Sequence, residues 1–324
     1  MQCYAHIVDM DCKRLCPAAV LLLRVVLSVF AVAGSAHSVT SAANPRPSGS
    51  WTVHASPSRL VNGAPIFLEV TTPEPLTLLT GSWLGHEVVF DNRGGRLWTA
   101  LAGVSLETKA GTYPFVLEGK TPAGNQIAFR RNLTIGHAKY PVIQLQVSKQ
   151  FTEPNAEQVR VINEDQELKH RTFSQITPAR EWSGRFSAPV DAPTSDIFGT
   201  RRVFNGATKS VHQGLDYRVG PGTPVSAVNA GTVLLARSLY FEGNCVVLDH
   251  GQGLLSLYLH LSEIKVKEGE RVERGQLLGL SGATGRATGP HLHIAVRWQG
   301  VYLDPAALLA LHFPESQAKL ATSH

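Results

Sequence analysis

The chain has 324 residues, 43% hydrophobic and 17% charged, a length that accommodates two ordinary domains and enough apolar residues to bury both cores. That composition excludes a chain disordered as a whole. The formal charge of +5 is a mild basic excess with no Lys/Arg block of the kind that marks a nucleic-acid tail, so no nucleic-acid partner is expected, while an anionic partner fits.

The N-terminus has the layout of an export signal. Lys13 and Arg14 precede an apolar run from Pro17 that is interrupted by Arg24, continues as VVLSVFAVA from Val25 to Ala33 and ends in Gly34-Ser35-Ala36. The uninterrupted stretch is too short to span a bilayer, so residues 1–36 are expected to be a signal peptide cleaved after Ala36, or after Ala43. An uncleaved anchor using the longer run is the alternative, and Met10 stands as a second possible start. Removing residues 1–36 takes three of the four cysteines and leaves Cys245, which has no partner for an internal disulfide. No stable membrane insertion is expected after cleavage.

Residues 37–50 carry SAANPRPSGS, a Ser/Pro/Gly linker. From 51 to 146 the runs IFLEV, LTLLT, EVVF, RLWTAL, YPFVLEG and QIAFRRNLTI, separated by NG, DNRGG, KAG and PAGN, predict short strands of a small, immunoglobulin-like β-sandwich. His54, His86 and His137 are scattered through this region, which carries no chemical constellation and is expected to stand apart from the chemistry. Residues 147–184 are polar and charged without strand alternation. Within them Asn155 precedes AEQVRVINEDQELKH as an N-cap, with Gln158 at the third helical position, so a helical linker is predicted.

Strand runs return in residues 185–310: TPVSAV, GTVLLAR, CVVLDH, LLSLYLHL, LLGLSG and HLHIAVRW predict a second β-domain, followed by a tail over 311–324. In GPHLHIAV, His291 and His293 leave the same face of a strand while Leu292 points behind. Two imidazoles facing one place suit a metal if further ligands come from elsewhere. VHQGLDYRV supplies His212 and Asp216. In an ideal strand they would sit roughly 13 Å apart at about 3.3 Å per residue, but Gly214 between them permits a bend. Imidazoles with a carboxylate form a nitrogen and oxygen set suited to tetrahedral zinc with one position open.

LLSLYLHLS places His260 on the alternation shared by Ser256 and Tyr258. Cys245 in CVVLDH reads as a small core residue. SGATGRATGPH is glycine-rich, but a strand follows it, and no Gly-Lys-Ser/Thr, so it reads as a tight turn and not a phosphate cradle.

Residues 185–308 resemble the M23 family of zinc metallopeptidases, the lysostaphin or LytM type. The resemblance runs in order through FGTRRVFNG, HQGLDYRVGPGTPVSAVNAGTV, GNCVVLDHGQGLLSLYLHLS, VKEG, VERGQLLGLSGATGRATGPHLHIAV and LDP. It implies a compact antiparallel β-domain with His212, Asp216 and His293 as zinc ligands. His260 and His291 become the two unliganded active-site histidines. The activity implied is hydrolysis of peptidoglycan cross-links by metal-activated water in an exported enzyme, periplasmic or cell-wall associated. Some family members have lost metal ligands and act as non-catalytic modules that activate murein amidases; all five positions are intact here.

Overall fold

The computed structural model describes residues 49–151, 153–206, 208–311 and 313. The export signal, Met10, Ala36 and Ala43 lie outside these residues, as do nearly all of the 37–50 linker and the tail apart from Leu311 and Phe313. Among the described residues no helix is long and apolar enough to cross a membrane. The protein is mainly β, as the alternating runs predict.

The N-terminal part holds β1 (Thr52–Ser56), β2 (Leu60–Val61), β3 (Pro65–Thr71), β4 (Leu78–Trp83), β5 (His86–Val89), β6 (Asp91–Gly94), β7 (Leu97–Gly103), β8 (Gly111–Lys120) and β9 (Gln126–Gly136). They form two sheets, ordered β1-β3-β7-β6 and β2-β9-β8-β4-β5. Alternation sends Ile66, Leu68 and Val70 of β3 and Phe115 and Leu117 of β8 into one apolar core. Trp83 ties the sheets together. Its ring meets Phe115 edge-on at 6.1 Å, and its indole N–H donates to the Gly103 carbonyl of β7 at 2.9 Å, satisfying a donor that burial would otherwise strand.

Next come β10 (Val142–Leu145), a 3-10 turn at Lys149–Phe151 and α1 (Ala156–Phe173). The helix starts where the sequence places it. Asn155 accepts from the Gln158 backbone N–H while the Gln158 side chain accepts from the Asn155 N–H, a reciprocal capping box.

The C-terminal part comprises β11 (Thr194–Asp196), β12 (Arg201–Phe204), β13 (Thr208–Val211), β14 (Leu215–Tyr217), β15 (Pro224–Ser226), β16 (Gly231–Leu239), β17 (Gly243–Asp249), β18 (Leu254–Leu261), β19 (Glu263–Ile264), β20 (Arg271–Val272), β21 (Leu277–Leu280), β22 (Leu292–Trp298), β23 (Val301–Leu303) and α2 (Pro305–Ala310). Its main sheet runs β11-β14-β22-β18-β17-β16-β20, with β23 also on β22, and every pairing in it is antiparallel. β10 pairs in parallel with β12, so the segment before the helix is woven into the hairpin β12–β13.

The two faces of the main sheet have different partners. Leu292, Ile294, Val296 and Trp298 of β22, with Leu254 and Tyr258 of β18, face the core that continues into the N-terminal sheets. Leu303 packs on Gly103, where a side-chain carbon would come within 2.5 Å of a Leu303 methyl, and Phe313 meets Phe67, Trp182 and Phe186. On the opposite face Leu235, Leu239, Leu257 and Ala295 are covered by Leu168 and Phe173 of α1. Alternation puts His293 on that second face, beyond the end of the helix-covered patch.

Candidate metal centre

His212, Asp216 and His293 come from three places that the sheet brings together. Asp216 on β14 and His293 on β22 are direct cross-strand partners, so their side chains leave the same face side by side. His212 lies just past β13, outside the ladder. Its backbone N–H donates to the Thr200 carbonyl and its own carbonyl accepts from the Gly199 N–H, both at 2.8 Å. The chain bends at Gly214, as the spacing requires, and β14 begins one residue later.

Gly214 has a second reason to be glycine. A Cβ there would stand 2.4 Å from both His293 Nε2 and the Ile294 carbonyl oxygen, so the ring of His293 lies directly against this backbone. The need is for close approach more than for an unusual φ.

The three donor atoms form a tight triangle. His212 Nε2 lies 3.0 Å from Asp216 Oδ1 and 3.0 Å from His293 Nδ1, and His293 Nδ1 lies 2.7 Å from Asp216 Oδ1. Among the described residues these are the one group of three such donors converging on a point. A tetrahedral zinc with bonds of 2.0–2.1 Å has ligand edges of roughly 3.3 Å, so a small outward movement of each donor accommodates the ion. The outer contacts also suit a metal. His212 Nδ1–H donates to the Ile197 carbonyl at 2.9 Å, which leaves Nε2 with its lone pair toward the centre. Arg202 binds Asp216 Oδ2 at 2.5 Å and Asp196 Oδ2 at 2.6 Å, leaving Asp216 Oδ1 to face inward. The residues present therefore fit the zinc that their chemistry implies.

Burial alone would raise the Asp216 pKa, but its close contacts with the imidazoles of His212 and His293 outweigh it and hold the carboxyl well below its usual range. Burial pulls His293 down to about 4 against the opposing pull of Asp216. Both effects leave the group in the deprotonated form that a metal requires.

His260 and His291 complete the cluster. Their ring centroids are 4.8 Å apart, and the His260 ring lies 6.1 Å from that of His293. His291 Nδ1–H donates to the Gly289 carbonyl at 2.8 Å, and its Nε2 points toward Asp216 Oδ1 at 3.9 Å. His260 Nδ1–H donates to the Thr284 carbonyl at 2.8 Å. Burial, followed by the neighbouring His293 and His291, pushes His260 down to about 3.

One expectation from strand alternation is corrected here. Ser256 and Tyr258 do share a face, their hydroxyls 3.1 Å apart, but that face is the main core, and His260 does not join them. Asn244 pairs with Leu261 and Val246 with Tyr258, so Leu259 and His260 together oppose Cys245: a β-bulge. His260 adopts φ +63, and its side chain is thereby turned onto the face that carries His293. The periodic pattern gave no sign of this extra residue.

Other candidates stand apart. His86 packs its ring against Trp298 at 5.1 Å, and Cys245 is a buried free thiol whose pKa burial raises, in keeping with its core reading. Arg202 and Asp196 were not singled out by sequence. The charged pair RR in FGTRRVFNG was the available signal, but nothing in spacing tells which arginine turns inward.

Comparison with known proteins converges on this region. Residues 210–305 match the profile described as Peptidase family M23. The peptidoglycan DD-endopeptidase ShyA of Vibrio cholerae is 48% identical over 109 residues, 32% of this chain and 25% of that protein. The DD-carboxypeptidase/endopeptidase Mpg of Neisseria meningitidis is 40% identical over 121 residues, 37% of this chain and 28% of that one. The chain thus spans about a quarter of the length of either curated relative. A crystal structure from Pseudomonas aeruginosa, assigned to peptidase M23, superposes with a TM-score of 0.59 at 31% identity, covering 77% of this chain and 94% of that one.

Proposed function

The chain belongs to peptidase family M23, and from that premise and the geometry of the centre we propose that it is a zinc-dependent endopeptidase hydrolysing peptide bonds in peptidoglycan stem-peptide cross-links. The observation that carries this reading is the triangle of His212 Nε2, Asp216 Oδ1 and His293 Nδ1 with two further imidazoles beside it. His212, Asp216 and His293 are the ligands in this proposal. When bound, zinc supplies Lewis-acid polarisation of the scissile carbonyl and lowers the pKa of the attacking water.

The chain's own residues supply the rest. Asp216, fixed by Arg202, contributes the negative charge that keeps the cation in place. His260 and His291 each spend their Nδ1–H on a backbone carbonyl, which orients the ring and leaves Nε2 free to accept a proton. Their role here is to take the proton from water and return one to the leaving amine, or to stabilise the developing oxyanion. A covalent nucleophile is not needed, in keeping with the burial of Cys245.

The same proposal assigns residues 185–310 to the peptidase domain, 51–146 to an immunoglobulin-like positioning domain and 147–184 to the arm between them, in an exported protein of the periplasm or cell wall. The test is zinc determination on the purified protein together with mass spectrometry of muropeptides released from isolated sacculi, with casein as control. Near-stoichiometric zinc and release of cross-link cleavage products are expected. Absence of both, or cleavage of casein alone, overturns the proposal.

A further inference from the structure

The loop from Gly282 to Pro290 lies between two parts of the centre. At one end Gly282 bridges to His291, and at Thr284 its carbonyl receives the His260 Nδ1–H. Two residues on stands Arg286. Its backbone N–H donates to the Phe241 carbonyl at 2.8 Å, and its guanidinium lies close to two rings, 4.6 Å from the centroid of Phe241 and 5.3 Å from that of Phe204. Phe204 is two residues from Arg202, the arginine that holds Asp216. Arg286 is therefore tied on one side to the contacts of His260 and on the other to those of Asp216.

Among the described residues the Arg286 side chain has no hydrogen-bond or ion-pair partner, and none of its nitrogens is among the sealed, unpaired atoms of the interior. Its guanidinium nitrogens thus keep some contact with solvent while two aromatic rings cover part of the side chain. Glu242, the acid that acts on it electrostatically, already holds Lys169 in an ion pair at 2.5 Å, and Arg202 repels it. Holding a half-buried cation against two aromatic rings with no direct ion-pair or hydrogen-bond partner among the described residues, and only the nearby charge of Glu242 to offset it, is costly unless an anion completes it. A planar guanidinium fixed in this way presents two parallel N–H groups, the geometry that matches a carboxylate. Because the rings have already ordered the side chain, little freedom is lost when the anion arrives.

We propose that Arg286 is a specificity-determining residue that binds a free carboxylate of the peptide substrate next to the bond to be cleaved, clamped for that purpose by Phe204 and Phe241. The inference rests on the peptidase reading for the identity of the reaction, but not for the binding of the anion. It makes the preferred substrate an acidic peptide whose carboxylate has not been converted to an amide.

The test uses the full zinc-loaded protein, its Arg286→Met and Arg286→Lys variants, and two probes: the murein stem tetrapeptide with free carboxylates, and the same peptide with those groups as carboxamides. Binding is measured by titration calorimetry, and cleavage with the cross-linked dimer of each form. The wild type is expected to bind the carboxylate form about 10- to 100-fold more tightly, the range of a charged hydrogen-bonded contact. Arg286→Met should bind both forms equally at the weaker level, and Arg286→Lys should recover part of the preference. The loss should fall on KM, with kcat on the carboxamide dimer and zinc content unchanged. A wild type that does not distinguish the two forms, or an Arg286→Met protein that keeps the preference or weakens both forms alike, overturns the proposal. If the wild type shows the binding preference but cleaves neither dimer, the peptidase reading fails and the anion site stands.

Discussion

Asp216 and His293 face each other across the β14–β22 ladder with Asp216 Oδ1 and His293 Nδ1 2.7 Å apart. A cross-strand pair fixes both groups through backbone hydrogen bonds, so neither donor has to find the other by side-chain freedom alone. His291, two residues earlier on the same face, holds its Nε2 3.9 Å from that oxygen and its Nδ1 on a backbone carbonyl. His293→Ala is therefore expected to lose both zinc and activity, whereas His291→Ala keeps zinc and loses turnover. Metal content after identical dialysis decides the matter, and zinc retained by His293→Ala but lost from His291→Ala would reverse the roles. Both variants should stay folded, because the apolar neighbours Leu292 and Ile294 point to the other face.

Arg202 acts one contact further out. It takes Asp216 Oδ2 and is itself held by Asp196, so the carboxylate offers Oδ1 in a fixed direction. Arg202→Met should keep the fold and lower zinc affinity by about 10- to 100-fold, the usual scale for an outer partner of a ligand. Competition with a chelator measures this. Unchanged affinity would show that the β14–β22 pairing orients Asp216 without help.

How much of this was legible in the sequence follows from the length of each pattern. Long runs such as IFLEV, YPFVLEG and HLHIAVRW carry enough alternation to mark β3, β8 and β22, and the Asn155/Gln158 pair marks the start of α1. Strands such as β11, β12 and β14 are three or four residues long and mixed in polarity, too short for a period to show. The five residues of the cluster were legible because their motifs occur in order with family spacing. The turn of His260 onto the metal face was not, since a bulge depends on pairing with β17 and not on the local sequence. Gly214 was legible as a bend, but its closeness to the His293 ring is a tertiary fact.

A buried histidine away from the metal gives a prediction in pH. His250 donates from Nδ1 to the Ala230 carbonyl at 2.7 Å, and its Nε2 lies 2.7 Å from the Ser256 hydroxyl, which continues to Tyr258. Burial, against the opposing effects of Ala230 and Asp249, lowers its pKa from 6.5 to about 4. Between those values the unfolded chain takes up a proton that the folded one refuses, so this group's contribution is complete above about pH 6.5 and is lost as pH falls to about 4. The loss is on the order of 3 kcal/mol at 1.36 kcal/mol per pKa unit. The stability difference between wild type and His250→Gln, from urea unfolding with zinc removed, should shrink across that interval. A difference independent of pH would mean that His250 does not titrate between the two states.

His260 occupies a backbone conformation that a histidine adopts at a cost, φ +63, and the bulge that imposes it aims the ring at the centre. The ring does not belong to the donor triangle, and its Nδ1–H is committed to Thr284, which leaves Nε2 for the proton-transfer role proposed above. Burial and the neighbouring imidazoles lower its pKa to about 3, so the ring is neutral at physiological pH. His260→Ala is expected to retain near-stoichiometric zinc while turnover on murein falls by about 10² or more, the scale of a lost general acid or base. His260→Gly should show the same loss of turnover in a more stable protein, since glycine tolerates the positive φ that alanine resists. Comparing the two by thermal unfolding separates the backbone cost of the bulge from the chemistry of the ring. Wild-type turnover in either variant would remove His260 from the mechanism, and loss of zinc in the glycine variant would make it a ligand after all.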